Sequence, residues 1–189
     1  IWVVVAEVFK YIAVGIKIPA VEAEWRDGGI MMDTRNFRNR TGVRTFEAAA
    51  FLRRCGADIT RVRKMFRDDM ASYRAKAEAV RMAEVYRKEF AIAQCPGNID
   101  SPTVLAAQAA NELLDISGIK ASFVLTVYDG KIYLSARSID EVNVQIIAEK
   151  LGGGGHINSA GAQFDHTNMD EAVKALKATI DQMIEEGDI

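Results

Sequence analysis

Apolar positions recur at three- and four-residue spacing through the first half of the chain, then switch to alternation in the second. Val5, Val8, Phe9 and Ile12 mark a helix over Ala6–Val14. Pro19 suits the first turn of a second helix, and Gly28-Gly29 are expected to end it. Ile30-Met31-Met32 then reads as a short buried run closing on Asp33-Thr34. Phe46 to Cys55 is a third helix, stopped by Gly56, and Asp58 can cap a fourth in which Ile59, Val62, Met65 and Phe66 share a face. Residues 61–88 carry nine lysines and arginines against four acids, with Met70, Tyr73, Ala77 and Val80 as a narrow apolar stripe. A linking helix over residues 68–84 is expected there, its basic face solvated because few aromatics interleave with the charges.

Beyond Val85 the period changes. Phe90-Ala91-Ile92-Ala93 reads as a strand, Pro96-Gly97 and Ser101-Pro102 as a loop, and Thr103 to Leu114 as a helix with Val104, Ala107, Leu113 and Leu114 apolar. Phe123, Leu125 and Val127 alternate, Asp129-Gly130 is a hairpin signal, and Ile132, Leu134 and Ala136 alternate on the return strand. Tyr133, Ser135 and Arg137 therefore face away from that core. Asp140 can cap the helix that follows, Ala162-Gln163-Phe164 is a further strand, and a last helix starts near Met169 behind a capping box formed by Thr167 and Asp170. The fold class is α/β. A helical part spans residues 1–67, a linking helix 68–84, and a small mixed-sheet α/β lobe 85–189.

Between the strands of that lobe stands Gly152-Gly153-Gly154-Gly155-His156. One glycine suffices to cap a helix; four in a row cost chain entropy. Unusual dihedrals, close approach to a ligand, or both are expected. Successive N–H groups can form an anion-binding nest, with a histidine to donate to the same anion. A flexible loop with an incidental histidine is the plain alternative, although the flanks Val144–Leu151 and Ser159–Phe164 are not linker composition. Asp33 likewise has two readings: a carboxylate delivered by a buried segment, as in many α/β sites, or a cap for the next turn. The arginine-rich stretch Arg35–Thr45 after it is either solvated or suited to phosphate.

Composition narrows the class. The 189 residues are 49% hydrophobic and 26% charged, as in an ordinary globular protein, and the net charge of −2 provides no global attraction for nucleic acid or anionic membranes. Cys55 and Cys95 form neither a disulfide framework nor a zinc pattern, which fits a reducing cytosolic setting. No apolar run approaches a membrane span, and Ile1–Val5 lacks the length and basic leader of a signal peptide. With no initiator methionine, the chain reads as part of something longer.

Two separated stretches carry a resemblance. Ser135-Ala136-Arg137-Ser138, Asn143-Val144, Gly152–His156 and Ala160-Gly161 resemble the DHH-associated domain, the C-terminal lobe of DHH-family phosphoesterases. Gly29–Phe37 with Arg40–Ala49 resembles the end of the DHH catalytic lobe, closest to the branch that hydrolyses cyclic-di-AMP. The resemblance implies a fragment of a two-manganese phosphodiesterase that opens cyclic-di-AMP to the linear dinucleotide. In it Asp33 matches a metal ligand, and no residue of this chain matches a catalytic one. Gly153, Gly154, Gly155 and His156 would grip the nucleotide across the cleft, with Arg137 facing it and Ser138 and Asn143 as weaker candidates. Arg40, Thr41 and Arg44 are weaker still, with no single contact assignable. The other metal ligands have no counterpart, since neither Asp-x-Asp nor Asp-His-His occurs in the chain. The expected partner is a cyclic dinucleotide or short oligonucleotide. No long nucleic acid and no membrane contact is expected from this chain, and the resemblance implies a homodimer on the cytoplasmic side of a parent anchored in the membrane through other segments. Two alternatives stand beside this reading: a DHH-family oligoribonuclease or single-strand exonuclease, and a non-catalytic nucleotide-binding module.

Overall fold

The computed structural model describes residues 1–11, 17–39, 41–139 and 141–188. Ile12 and Val14 of the expected first helix, Arg40 and the expected cap Asp140 lie outside the described residues. Eight helices and a six-stranded sheet occur among those described, and the chain divides into two compact units, Ile1–Asp68 and Asp69–Ile189.

The first unit is helical: α1 (Trp2–Tyr11), α2 (Ala20–Asp33), α3 (Val43–Arg54) and α4 (Ile59–Met65). Ala6, Ile18, Ala23, Ile30, Ala48, Leu52 and Ala57 form its core. Asp58 caps α4 by accepting from the Thr60 N–H at 2.8 Å, as its sequence position suggests. Gly28-Gly29, however, do not end α2; the helix runs through them to Asp33, absorbing Ile30-Met31-Met32. Packing is the reason. A Cβ on Gly29 would stand 2.6 Å from the Trp2 ring, and one on Gly28 would stand 3.3 Å from Phe66. The pair makes a groove for two large side chains, which offsets its poor helix propensity. Thr34 stops the helix instead, its hydroxyl turning back to donate to the Ile30 carbonyl at 2.7 Å.

The second unit holds α5 (Met70–Arg81), β1 (Glu84–Tyr86), β2 (Phe90–Cys95), α6 (Pro102–Leu113), β3 (Ala121–Tyr128), β4 (Lys131–Ser138), α7 (Val144–Lys150), β5 (Gly154–His156), β6 (Ser159–Phe164) and α8 (Met169–Glu186). The basic middle of the chain is thus not one helix. Asp69 starts a new one, accepting from the Ala71 and Ser72 N–H groups at 2.8 and 3.0 Å. Ala79 of α5 is buried in the second unit with Leu105, Ala109 and Leu113 of α6, and Lys76 pairs with Glu112 at 3.0 Å. The helix expected to link two lobes packs inside one of them, and β1 follows where its end was expected.

The strand order is β1-β2-β3-β4-β6-β5. Only β2 and β3 are parallel among these pairs, which requires the α6 crossover between them; the other pairs are antiparallel. Asp129 and Gly130 both have positive φ (49° and 72°), the conformation of a tight hairpin whose twist suits its strands. One sheet face carries Phe90, Ile92, Phe123, Leu125, Ile132, Leu134, Ala136, Ala160 and Ala162, covered by α7 and α8. Over the other face, α5 and α6 bury Ala91, Ala93, Cys95 and Val124. β3 is therefore apolar on both sides at its centre, which is why its alternation is weak in sequence.

Candidate functional site

The four glycines have four different duties. Gly152 ends α7 with φ 81°; its N–H donates to the Glu149 carbonyl at 3.0 Å, and that of Gly153 to the Ala148 carbonyl at 2.8 Å. This is the Schellman pattern that satisfies the last carbonyls of a helix. Gly153 passes against β6, where a Cβ would lie 2.0 Å from the Gly161 carbonyl oxygen. Gly155 has φ 150°, and a Cβ there would lie 2.5 Å from the Ala160 Cα. Gly154, like Gly152, has open space where its Cβ would be, and unlike Gly152 it does not have a left-handed φ. The run is therefore a helix cap followed by the edge strand β5, not a loop. Unusual dihedrals are present at Gly152 and Gly155, and the close approach at Gly153 and Gly155 is to the backbone of β6.

Register decides what surrounds it. His156 pairs with Ser159, Ser159 pairs with Arg137, and Arg137 pairs with Ser122, so one row crosses four strands. Side chains directly opposite in a sheet share a face. The next row on that face is Gly154, Gly161, Ser135 and Val124, and the one beyond it holds Gln163, Tyr133 and Thr126. The α6 end of this face is buried, while the β4-β6-β5 end is lined by small or polar residues: Ser135, Ser159 and Gly161 are half-buried, and His156 and Gln163 exposed. At Gly154 the space a Cβ would fill is open, whereas at Gly161 a Cβ would lie 2.8 Å from the Leu134 carbonyl oxygen. Arg137 is half-buried, its guanidinium Nη1 donating to the Ala136 carbonyl at 2.8 Å, which holds the cation against the sheet.

Ser138 and Asn143, the weaker candidates, are occupied structurally. The Ser138 hydroxyl is buried and donates to the Ile157 carbonyl at 3.3 Å, and Asn143 caps α7 by accepting from the Gln145 N–H at 3.1 Å. The backbone of the β5–β6 turn is also tied down: the Ser138 N–H donates to the Asn158 carbonyl at 3.2 Å and the Val144 N–H to that of Ile157 at 3.0 Å. Ser138 and the Val144 backbone thus fix the hairpin that presents His156. Register also adds Tyr133, Ser135, Ser159, Gly161 and Gln163 to the face. The outward alternation of β4 was a signal for the first two; the other three are recognisable only once β6 is paired.

In the first unit, Asp33 is exposed at the last turn of α2. Arg35, Asn36 and Phe37 follow with φ of 48°, 57° and 64°. Consecutive left-handed non-glycine residues are costly, about 1–2 kcal/mol each, and persist where surrounding bonds impose them. Here the Asn36 N–H donates to the Met31 carbonyl at 2.8 Å and that of Phe37 to the Thr34 hydroxyl at 3.0 Å, while Phe37 stacks on Phe46 at 5.6 Å between centroids. Arg44 is engaged by Glu7, its Nε donating at 2.6 Å, and that bond holds the Glu7 carboxyl below the usual glutamate range. Asp33 gathers no partners suited to a metal: among the described residues no three His, Cys, Asp or Glu side chains group as ligands. A single exposed carboxylate does not hold two divalent ions.

A mixed sheet with one half-face left open beside a glycine edge strand defines a small α/β domain with a shallow polar site. The DHHA1 domain model matches residues 88–183, and the chain belongs to that family, as the motifs in its sequence indicate. The chain is 40% identical over 178 residues to the cyclic-di-AMP phosphodiesterase PdeA of Listeria monocytogenes, covering 94% of this chain and 27% of that protein. It is 41% identical over 186 residues to the cyclic-di-AMP phosphodiesterase GdpP of Bacillus subtilis, covering 97% and 28%. It thus spans little more than a quarter of the length of these curated relatives. In fold it is similar to an exopolyphosphatase-related protein from Bacteroides fragilis, with a TM-score of 0.78 at 23% identity over 88% of this chain and 51% of that one. No described helix is long and apolar enough to cross a membrane.

Proposed function

We propose that this chain supplies the nucleotide-gripping domain of a phosphodiesterase that opens cyclic-di-AMP to the linear dinucleotide. The observation that carries the proposal is the open half-face: a cation at Arg137, a histidine at His156, and backbone bared at Gly154. Phosphate and ribose oxygens are acceptors, and guanidinium, imidazole and backbone N–H groups donate to them. The names of the Listeria and Bacillus relatives, nearly the whole chain matching at about two-fifths identity, supply the substrate class. Ser138 acts by holding the hairpin, Asn143 by capping α7, and Gly153 and Gly155 by setting the path of β5. Hydrolysis in this family reading calls for divalent ions, manganese by preference, to which Asp33 would contribute one carboxylate, the other ligands coming from outside the described residues. The strained turn after Asp33 supports a functional role there, because such strain collects at sites. The same reading puts the domain on the cytoplasmic side of a membrane-anchored parent and has it work as a homodimer.

A second reading has its own support. With Asp33 alone among the described residues, the 189-residue chain by itself is a nucleotide-binding module. The two readings agree on the site and divide on turnover.

Calorimetry with cyclic-di-AMP and its linear dinucleotide tests the site. A charge-assisted hydrogen bond contributes roughly 1.5–3 kcal/mol, so Arg137→Ala or His156→Ala is expected to weaken binding by about 10- to 100-fold. Gly154→Val should abolish binding with little change in melting temperature, since its Cβ meets nothing. Gly155→Val should instead unfold the β5 edge, because φ is 150° and Ala160 stands in the way. Variants of His156 and Gly154 that melt low yet bind normally would show the edge to be scaffold. Manganese titration should find no tight two-ion site, and robust turnover by the purified chain would overturn the division of labour.

A further inference from the structure

The open face does not stop at the arginine row. Two rows on, Tyr133 pairs directly with Gln163, and opposite side chains in a sheet have Cβ atoms about 5 Å apart. Tyr133 and Arg137 lie four residues apart on one strand and one face, about 13 Å at the usual rise. That is the reach of an extended nucleotide from phosphate to the far edge of its base. The Tyr133 ring leans against Tyr128, centroids 6.0 Å apart and planes 57° apart, so the two rings are tilted rather than stacked face to face. Gln163 is exposed and its carboxamide is not loose. Its Nε2 donates to Asp165 Oδ1 at 3.0 Å, and Asp165 is itself paired with Lys131 Nζ at 3.1 Å. An aromatic ring with an oriented carboxamide beside it is the chemistry that holds and reads a base.

We propose that Tyr133 and Gln163 form an adenine subsite, the base stacking on Tyr133 while the Gln163 carboxamide reads its N6 and N7 edge. This rests on the reading of the open face as the nucleotide site. Adenine presents a donor at N6 and an acceptor at N7, which one carboxamide satisfies with its oxygen and nitrogen together. Guanine presents two acceptors on the same edge, O6 and N7, and leaves the carboxamide oxygen facing another oxygen. Stacking by itself does not discriminate, because every base has a face. Tyr133 therefore carries affinity and Gln163 carries selectivity. Asp165 occupies one hydrogen of the Gln163 amide and leaves the second hydrogen and the oxygen for the base.

The test is titration of the full 189-residue chain with two 5′-phosphorylated linear dinucleotides, one of adenine and one of guanine. The unsubstituted chain should favour the adenine form by about tenfold. Gln163→Ala should bring the two affinities together by weakening the adenine form. Tyr133→Ala should weaken both by about tenfold, and Tyr133→Phe, which keeps the ring, should leave both near normal. Equal affinity for the two dinucleotides in the unsubstituted chain overturns the subsite, as does an unchanged preference in Gln163→Ala. A Tyr133→Phe variant as weak as Tyr133→Ala also overturns it, since the hydroxyl rather than the ring would then be in use. Arg137→Ala and His156→Ala, run alongside, separate the two layers. If they weaken binding while Gln163→Ala changes nothing, only the base subsite fails. If they too change nothing, or if neither dinucleotide binds, the face itself is not the site.

Discussion

Asp27 is fully buried on α2 and paired on one side only. Arg53 Nη2 stands 2.8 Å from its Oδ2, while Oδ1 has no hydrogen-bond partner. Burial raises its pKa above the ordinary 3.8, outweighing the pull of Arg53 in the other direction. The folded state therefore holds this proton more tightly than the unfolded chain does. Stability contributed by the group is highest below the ordinary aspartate range and falls as pH rises through the raised value. Asp27→Asn removes that dependence. Denaturant melts from pH 3.5 to 7 should show the variant gaining on the parent chain as pH rises, and a gap that is flat or shrinks would contradict the assignment. The sequence offered no sign of this residue, because an aspartate on a helix is most often solvated. The placement of His156 after the glycines and of Arg137 on the outward side of β4, by contrast, was readable beforehand. The glycines announced the first and strand alternation the second.

At the scale of elements, helix α8 shows how narrowly sequence signals locate a boundary. Thr167 and Asp170 have the spacing of a capping box, but the box is one residue on. Asn168 accepts from the Glu171 N–H at 2.9 Å and Glu171 reaches back to the Asn168 N–H at 3.4 Å. Thr167 donates to Glu171 at 2.7 Å and supports it from outside. Asn168→Ala should cost about 1 kcal/mol, read as a lower melting temperature, whereas Asp170→Ala should cost markedly less. Equal losses would return the cap to Thr167. In α6 the apolar residues alone misplaced the face by part of a turn: Val104 is exposed, and the buried stripe runs through Leu105, Ala106, Ala109, Ala110 and Leu113. Alanines carry too little hydrophobic signal to fix a phase, yet they are what lets α6 lie close on the sheet.

For the whole molecule, the division at Asp68 has a physical consequence. The second unit closes two cores around one sheet, whereas the first has one small core and exposes Val4, Tyr11, Val21, Trp25, Met32, Val43 and Phe46. An apolar surface of that extent on a few helices gives little protection against local opening. Limited proteolysis should remove residues of the first unit and leave a resistant fragment beginning near Asp69. A cut between residues 82 and 90 that spares the first unit would contradict this, since α5 packs into the second unit's core.

Local information determined a good deal by itself. The hairpin at Asp129-Gly130, the alternation of β4, the cap at Asp58 and the glycine run with its histidine each depend on neighbours within a few residues, so the sequence displays them. The α/β class and the family followed from these. Tertiary structure decided the rest, because it depends on what is brought together from far along the chain. Gly28-Gly29 stay helical only because Trp2 and Phe66 fill the groove they leave. The glycine run becomes an edge strand only because β6 lies beside it. Register alone sets His156, Ser159 and Arg137 in one row, and Gln163 next to Tyr133. Strand pairing joins residues that no local pattern links, and the face it creates is where the proposed chemistry resides.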